Sequence, residues 1–410
     1  MGELIKIISS KDLGLASANI DLPASKSISN RLLIIHALSE KNISIKNLSS
    51  ADDTQILERA LKTSSGEVYM GLAGTALRFG MAWAAITPGD RILKGLDRLH
   101  QRPVKELVAA LRELGGEIHY LDKEGFAPVR IIGKKLKGGK LTIDGSRSSQ
   151  FLTALMLIAP YCESGLEFEI AQNQVSTPYI SMTLSLMQKA GAVIKQESNL
   201  IRISGTYQKS EFTVESDWSA ASYFYLWALA LEKPKLSIKD LSFDSVQGDK
   251  VVAEIFAFYG IISHAVDGNM RIGKGLLPDY PGEINCISCP DLAQTFAVAA
   301  VIVQKPIRLT GLQTLRHKET DRIYALQNEL AKCGAVSTTG ADFIEIISFN
   351  KPIEIPVIKT YKDHRMAMAF APLAKAFGEI YIEDPDVVSK SFPSYWREVE
   401  KLGLEIRRGN

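Results

Sequence analysis

A polar loop followed by a strongly apolar, small-residue helix recurs along this chain, and no other feature constrains the fold as much. Each loop is rich in Ser, Asp or Gly, and each following segment is dominated by alanine and by aliphatic or aromatic residues. The loops occupy residues 23–27, 72–75, 146–150, 215–219, 288–291 and 362–365. The later ones recur about every 72 residues, with a shorter first interval, and such a period indicates an internal repeat. The sequence therefore predicts six similar units.

Most units also contain a second, amphipathic helix that stops at a glycine before an extended run. These glycines are Gly115, Gly191, Gly260, Gly334 and Gly403. A glycine directly after the last periodic residue is typical of a helix C-terminus. Runs rich in β-formers, such as residues 141–143 and 236–238, add several short strands to each unit. Because the first helix of each unit is apolar nearly all round, we expect it to be buried, with strands outside it.

The length of the chain sets the number of domains. A chain of 410 residues exceeds one ordinary hydrophobic core, so two domains are expected. Six units divide naturally into two domains of three, with a join near residues 213–215. Between the first two loops, residues 61–68 leave room for only one turn and one strand, so we expect the first unit to be truncated.

Charge and cysteine content narrow the function classes. A formal net charge of +2 is too balanced for a general nucleic-acid or membrane-surface binder, so an anion site has to come from local clustering. The chain shows no signal-peptide core and no apolar run of transmembrane length, which favours a cytoplasmic protein. Cys286 and Cys289 have CxxC spacing, but no second pair accompanies them, and we interpret them as incidental reduced thiols. The six histidines show no metal-ligand spacing, so no metal is expected.

The densest group of charges lies at residues 315–322, where three Lys or Arg side chains and two carboxylates precede an apolar-periodic run. This pattern predicts the first turn of an amphipathic helix, with Lys318 and Arg322 on one face. Cations at a helix start oppose the helix dipole unless an anion is bound there. A solvated charged turn, with Glu319 and Arg322 paired three residues apart, explains the stretch equally well at this point.

Similar cation-bearing helix starts occur elsewhere, as at Lys26 and at Arg102, which precedes a proline that we expect at the first helical position. If repeated in space, such starts could bind several phosphates or carboxylates in one cleft. Asp291 and Glu319 stand among these cations and could transfer protons. Asp291 could equally be a helix N-cap, and Glu319 an ordinary partner of Arg322. No Walker or GxGxxG motif occurs, so nucleotide binding is not indicated.

Five segments together resemble the 5-enolpyruvylshikimate-3-phosphate synthase family: residues 23–31, 73–78, 148–151, 318–322 and 363–367. They occur in the family's order and span nearly the whole chain. The resemblance implies an α/β fold of two similar domains, each of three βαβαββ-type repeats with buried helices and outer sheets. It assigns residues 22–213 to the first domain and residues 1–21 with 214–410 to the second, and it implies an active site in the cleft between them.

The resemblance also implies an activity. The enolpyruvyl group of phosphoenolpyruvate would be transferred to the 5-hydroxyl of shikimate 3-phosphate, and phosphate would be released, by addition and elimination through a tetrahedral intermediate. The implied reaction uses no metal, no cofactor and no covalent enzyme adduct. The expected partners are these two small-molecule substrates, with no nucleic acid and no membrane, and the protein is expected to be a monomer. Together the substrates carry about five or six negative charges near neutral pH, which accounts for clustered cations in a nearly neutral chain.

Site residues follow from the resemblance position by position. Asp291 is expected to take the 5-hydroxyl proton, and Glu319, with Lys26, to act as the acid–base group for the enol methylene. The residues expected to contact shikimate 3-phosphate are Lys26, Ser27, Arg31, Ser148, Ser149, Ser176, Asp291 and Lys318. Those expected to contact phosphoenolpyruvate are Lys26, Gly74, Arg102, Gln150, Arg322, Arg365 and Lys390.

Two positions depart from the family pattern. Leu72 and Thr314 each stand where the family often has Asn, so one polar contact to phosphoenolpyruvate and one to shikimate 3-phosphate are in question. Gly74 is retained, and we therefore expect inhibition by glyphosate, with a strength that Leu72 leaves open.

Two other functions are compatible with parts of the sequence. The enolpyruvyl transferase that acts on UDP-N-acetylglucosamine shares the fold, but it would bring a reactive cysteine on a mobile loop and a Lys-Asn opening motif. A non-catalytic repeat scaffold for anionic partners gives no reason for Asp291 and Glu319 among the cations.

Overall fold

The computed structural model describes residues 3–9, 15–40, 42–143, 149–170, 177–276 and 280–409. The chain forms two compact units. The continuous unit comprises Ala24–Val214, and the discontinuous unit comprises Met1–Pro23 together with Glu215–Asn410. The chain therefore passes from one unit to the other twice, at residues 23–24 and 214–215.

Helices and short strands are interspersed along both units. The helices are α1 Lys26–Leu38, α2 Asp52–Leu61, α3 Gly74–Ile86, α4 Asp97–His100, α5 Lys105–Glu113, α6 Ser149–Ile158, α7 Thr177–Lys189, α8 Trp218–Ala230, α9 Val252–Ala257, α10 Ala293–Val303, α11 Arg322–Lys332, α12 His364–Phe370, α13 Leu373–Phe377 and α14 Tyr395–Glu400. The strands are β1 Leu4–Ile8, β2 Leu15–Ile20, β3 Ile43–Lys46, β4 Gly66–Tyr69, β5 Gly89–Lys94, β6 Glu117–Tyr120, β7 Val129–Gly133, β8 Gly139–Ile143, β9 Leu166–Ile170, β10 Ala192–Glu197, β11 Leu200–Gly205, β12 Ser210–Thr213, β13 Lys233–Lys239, β14 Ile261–Val266, β15 Asn269–Lys274, β16 Glu283–Asn285, β17 Ile307–Thr310, β18 Ala335–Thr339, β19 Ile344–Phe349, β20 Val357–Ile358, β21 Glu379–Glu383 and β22 Glu405–Gly409. Short 3-10 turns cover Ala159–Tyr161, Gly248–Val251, Pro290–Leu292, Gln313–His317 and Pro385–Lys390.

The sheets repeat one plan, as the periodicity of the sequence predicts. In the described residues, five sheets consist of a parallel strand pair followed by two antiparallel strands. Their strand orders are β4-β5-β7-β6 and β10-β11-β9-β8 in the continuous unit, and β14-β15-β13-β2, β16-β17-β19-β18 and β20-β21-β1-β22 in the discontinuous unit. The sixth sheet, β12-β3, keeps only the parallel pair. The truncated first unit of the sequence is therefore a repeat without its antiparallel strands.

All six polar loops lead into a helix, namely α1, α3, α6, α8, α10 and α12. Nearly every residue of α8 and α10 is buried, including Trp227 and Phe296. The expectation of buried helices and outer sheets is confirmed. Burial on all sides follows from the composition, because a helix without a polar stripe has no face to turn to water.

The five predicted helix stops are also confirmed, because each glycine has a positive φ at the end of its helix. Gly334 shows why only glycine fits. Its φ is +86°, and a Cβ built there would lie 1.9 Å from the carbonyl oxygen of Asn350. Any side chain at this position would disrupt the turn from α11 into β18.

The four cysteines are buried and free, which agrees with their interpretation as reduced thiols. No helix among the described residues is long and apolar enough to cross a membrane. The part of the chain that the structure describes also contains no group of three or more His, Cys, Asp or Glu placed to hold a metal ion.

Candidate functional site

Arg322 opens α11, and its local structure differs from the sequence prediction. Residues 315–322 do not form one helical turn, since the 3-10 turn Gln313–His317 ends at an extended Lys318. Asp321 is the N-cap of α11, and its carboxylate accepts a hydrogen bond of 3.1 Å from the backbone N–H of Tyr324. The cap makes Arg322 the first helical residue, and Lys318 lies outside the helix.

The guanidinium of Arg322 is almost completely buried among carboxylates. Its Nε lies 2.7 Å from Oδ2 of Asp363, and its Nη1 lies 2.9 Å from Oδ1 of Asp291. Its Nη2 donates to Oε2 of Glu319 at 3.0 Å. Asp363 also caps α12, through a bond of 2.9 Å from the backbone N–H of Arg365. Arg322 therefore fixes the relative positions of three carboxylates that are far apart in sequence.

Asp291 lies on the 3-10 turn Pro290–Leu292 and is the most densely paired of these carboxylates. Its Oδ1 also lies 3.3 Å from Nζ of Lys318, and its Oδ2 lies 2.8 Å from Nη2 of Arg365. Burial alone would raise the pKa of Asp291, but Arg365, Lys318 and Arg322 together hold that pKa well below its ordinary value. The N-cap of α10 is Leu292, with no side-chain cap bond, so the interpretation of Asp291 as a helix cap is wrong.

Glu319 is held between two cations. Its Oε2 accepts from Arg322, and its Oε1 accepts from Nζ of Lys390 at 2.9 Å. The side chains of Glu319 and Lys390 are only 11% and 10% exposed, so this pair is largely removed from solvent. The seven residues Asp291, Lys318, Glu319, Arg322, Asp363, Arg365 and Lys390 are called the acid–base cluster below.

The continuous unit contains a different kind of cation site at the start of α1. Ser25 caps the helix, and Lys26 lies 3.2 Å from Oδ2 of Asp53. Arg31, one turn further on, donates to three neutral oxygens: Oγ1 of Thr183 at 2.8 Å, and the carbonyl oxygens of Ser27 at 2.8 Å and Tyr179 at 3.4 Å. Burial lowers the pKa of Arg31 to about 10, so it remains charged at neutral pH.

A second site in this unit surrounds Gly74, the first residue of α3. The guanidinium of Arg102 lies directly over Gly74, since a Cβ built there would be 2.0 Å from Nη1 of Arg102. Arg78 fixes this arrangement by donating to the carbonyl oxygens of Gly74 and Pro103, both at 2.9 Å. Gln150 donates to Oγ1 of Thr75 at 3.1 Å and so joins α6 to the same place. Pro103 precedes the N-cap of α5 rather than occupying its first turn, which corrects the expectation for this helix start.

The model of the EPSP synthase (3-phosphoshikimate 1-carboxyvinyltransferase) family matches residues 57–399 of this chain. The chain belongs to the EPSP synthase family. Curated members of the family support this over nearly the full length. The 3-phosphoshikimate 1-carboxyvinyltransferase of Bacteroides fragilis strain YCH46 is 44% identical over 96% of this chain and 97% of its own length. That of Sulfurovum sp. strain NBC37-1 is 36% identical over 96% and 99%.

Two solved structures are similar to this chain in fold. EPSP synthase from Acinetobacter baumannii has a TM-score of 0.78 and 21% identity, with complete coverage (100%) of both chains. The enolpyruvyl transferase NikO from Streptomyces tendae has a TM-score of 0.71 and 12% identity, and covers 100% of this chain and 99% of its own. These similarities confirm the predicted enolpyruvyl transferase fold.

Within this EPSP synthase fold, the residues singled out in the sequence fall into three groups. The acid–base cluster contains Asp291, Lys318, Glu319, Arg322, Arg365 and Lys390. The continuous unit brings Lys26, Ser27 and Arg31 to the start of α1, and Gly74, Arg102 and Gln150 to the start of α3; Ser149 is the first residue of α6. Ser148 and Ser176 lie outside the described residues.

Sequence reasoning missed several partners of these residues. Asp363 was noticed only within a motif, although it is the closest partner of Arg322. Thr183, in the middle of α7, carries no local signal for its contact with Arg31. At Thr314, one of the two departures from the family pattern, Oγ1 is buried and has no hydrogen-bond partner among the described residues.

Proposed function

We propose that this chain is a 3-phosphoshikimate 1-carboxyvinyltransferase. It transfers the enolpyruvyl group of phosphoenolpyruvate to the 5-hydroxyl of shikimate 3-phosphate and releases phosphate. The observation that carries the proposal is the acid–base cluster, in which Asp291 and Glu319 are each held by two or more cations. Addition to the enol and elimination of phosphate both require proton transfers beside strongly anionic substrates, and this arrangement provides groups for both.

In the proposed reaction Asp291 accepts the 5-hydroxyl proton while the hydroxyl oxygen attacks the enol carbon. Paired with Lys318, Arg322 and Arg365, Asp291 has a pKa too low for an effective base. Substrate phosphate and carboxylate groups would attract the same cations and weaken their hold on Asp291. The pKa of the carboxylate then rises, so substrate binding itself activates the base.

Glu319 is assigned the proton transfers at the methylene carbon, which gains a proton during addition and loses one as phosphate leaves. Its contacts to Arg322 and Lys390 orient both oxygens of the carboxylate. We propose that Lys26 assists, as the family resemblance implies. Arg365 and Lys390 bind phosphoenolpyruvate, and Lys318 binds shikimate 3-phosphate.

We assign further contacts to the substrate anions to the continuous unit. Arg31, Ser27 and Ser149 bind shikimate 3-phosphate, whereas Arg102, Gly74 and Gln150 bind phosphoenolpyruvate. Because Gly74 has no Cβ, the guanidinium of Arg102 can approach its backbone closely. A monomeric state and a cytoplasmic location remain predictions.

The test is phosphate release from phosphoenolpyruvate by the purified chain, with shikimate 3-phosphate or with UDP-N-acetylglucosamine as acceptor. We expect release with shikimate 3-phosphate alone. Release only with UDP-N-acetylglucosamine would show that the chain is the transferase for that acceptor. Release with neither acceptor would favour the non-catalytic repeat scaffold.

A further inference from the structure

Asp249 is a buried carboxyl group that the proposed reaction does not use. It lies on the 3-10 turn Gly248–Val251 and is 5% exposed. Its Oδ2 accepts a short hydrogen bond from the hydroxyl of Ser219, in the first turn of α8. Its Oδ1 is buried and has no hydrogen-bond partner among the described residues. An ionised carboxylate with one buried, unpartnered oxygen is unfavourable, and a proton on that group removes the buried charge.

Asp249 is connected to the acid–base cluster through Ser219. Oγ of Ser219 lies 3.5 Å from Nη2 of Arg365, and the same nitrogen lies 2.8 Å from Oδ2 of Asp291. Nη1 of Arg365 also donates to the hydroxyl of Tyr223 at 3.3 Å. Arg365 therefore has Asp291 on one side and the Ser219–Asp249 pair on the other.

Three charged groups on other elements act on Asp249. Asp217 lies at the N-cap of α8, Asp291 on the turn before α10, and Arg365 on α12. Burial and then Asp291 raise the pKa of Asp249 to about 6, against the opposing effects of Arg365 and the Ser219 hydrogen bond. The protonation state of Asp249 therefore changes near neutral pH.

The charge balance of the cluster depends on that state. Its four cations are Lys318, Arg322, Arg365 and Lys390, and its three carboxylates are Asp291, Glu319 and Asp363. With Asp249 ionised as a fourth carboxylate, the local sum is zero; with Asp249 protonated, one positive charge remains for an incoming anion. The direction of the Ser219 hydroxyl also depends on Asp249. An ionised Asp249 accepts the hydrogen bond from the Ser219 hydroxyl. A protonated Asp249 can instead donate its own proton to Oγ of Ser219, and the Ser219 hydroxyl can then donate to an anion beside Arg365.

We propose that Asp249 is a positioning residue that acts on Arg365 through Ser219, so that its protonated form strengthens anion binding at Arg365 and its ionised form weakens it. This rests on the proposed function in naming the anion as phosphoenolpyruvate. The effect falls on substrate affinity, because Asp249 does not contact the reacting atoms.

The experiment compares KM for phosphoenolpyruvate in the wild type and in Asp249→Asn from pH 5 to pH 8. Asparagine has the same shape and is never charged. We expect equal KM values at pH 5 and a wild-type KM roughly three- to tenfold above that of the variant at pH 8. Ionisation of the substrate itself cancels in this ratio. A ratio that does not change with pH overturns the proposal.

Two further variants test the route. Asp244→Asn removes an exposed carboxylate from the same loop and should reproduce the wild-type pH profile of KM. Ser219→Ala should reduce the pH-dependent change in KM, and an undiminished change would remove Ser219 from the route.

Binding of inorganic sulfate, measured by calorimetry, separates this proposal from the proposed function. Sulfate stays a dianion over this pH range, and its affinity should fall with rising pH more steeply in the wild type than in Asp249→Asn. If the wild type shows no turnover, the proposed function is wrong, but sulfate binding still tests the role of Asp249. If the sulfate affinities of the wild type and of Asp249→Asn depend on pH in the same way, the proposal for Asp249 is overturned.

If Asp249→Asn does not fold, the carboxyl ¹³C signal of Asp249 in the wild type gives the answer. Its titration midpoint should rise when sulfate is added, and an unchanged midpoint contradicts the proposal.

Discussion

Arg31 and Arg322 are both almost completely buried near a helix start, but their partners differ in kind. Arg31 donates to a hydroxyl and two backbone carbonyl groups, and the described residues offer it no carboxylate partner. Arg322 contacts Asp291, Glu319 and Asp363. The neutral partners of Arg31 position the cation but leave its charge uncompensated, whereas Arg322 has three carboxylates in direct contact, which it shares with other cations of the cluster.

This difference separates two tasks. A buried cation that lacks a counter-ion is unfavourable, and burial accordingly lowers the pKa of Arg31. An anionic substrate would supply the missing negative charge. A cation surrounded by carboxylates attracts anions less, but it fixes those carboxylates in place. The site around Arg31 is therefore suited to hold substrate, and the carboxylates fixed by Arg322 are suited to move protons.

Asp291→Asn should have the largest effect. The change keeps the shape of the side chain but removes the proposed base, and we expect kcat to fall by about 10³-fold or more. Affinity for shikimate 3-phosphate, measured by calorimetry, should be unchanged or higher, because Lys318, Arg322 and Arg365 lose a competing anion. Asp386→Asn, at an exposed ion pair with Arg408, is the matched control. Near-normal kcat in Asp291→Asn would exclude it as the base.

Glu319→Gln should come next, with kcat reduced by about 10²-fold. In deuterium oxide the wild type should place deuterium in the methylene group of the product, because this carbon gains and then loses a proton. The variant should incorporate it more slowly, as followed by mass spectrometry. Glu345→Gln, on the surface of β19, serves as control. Unreduced incorporation in Glu319→Gln would assign these transfers to another group.

Arg31→Met tests the other side of the comparison. Methionine fills similar space without charge, and the dissociation constant for shikimate 3-phosphate should rise by about 30- to 100-fold, the worth of one charge-assisted hydrogen-bonded contact. The loss should be the same from about pH 7 to about pH 8, where the substrate phosphate is mostly a dianion, since no carboxylate of the described residues is paired with Arg31. Arg202→Met, at an exposed surface pair, should bind normally. Unaltered affinity in Arg31→Met would remove Arg31 from the phosphate site.

Gly74→Ala should have the smallest of these effects. The new methyl group would displace the guanidinium of Arg102, and KM for phosphoenolpyruvate should rise by about tenfold without loss of shikimate 3-phosphate affinity. Gly273→Ala is the control, because its nearest contact would be an ordinary 3.4 Å from the carbonyl oxygen of Pro234. If KM for phosphoenolpyruvate does not change in Gly74→Ala, then Arg102 does not bind phosphoenolpyruvate from its observed position over Gly74.

Much of the fold could be predicted from sequence because its signals are local. The six polar loops and the glycine stops, such as Gly334, act through the residues next to them, and both were located correctly. The truncated first repeat was visible as a missing length of chain before Leu72. The place of β1 in the β20-β21 sheet has no local signal, because β1 comes from the other end of the chain, and only the family resemblance assigns residues 1–21 to this domain.

The candidate site was harder to predict because its contacts are distant in sequence. Lys318 was expected beside Arg322 on one helix face, yet Asp321 caps α11 and Lys318 instead pairs with Asp291, 27 residues away. The pairing of Glu319 with Arg322 was expected, but its second cation is Lys390, 71 residues further on. Asp249 was missed entirely, since its importance arises only from burial beside Ser219 and Arg365.

The most direct test of the two-task account is phosphate release at saturating concentrations of both substrates, measured for the wild type, Arg31→Met and Asp291→Asn. If Arg31 holds substrate and Asp291 moves protons, the rate of Arg31→Met should approach the wild-type rate as the concentration of shikimate 3-phosphate is raised. Asp291→Asn should stay at its low rate at every concentration. The account is contradicted if saturation restores Asp291→Asn, or if Arg31→Met remains inactive with its substrate site filled.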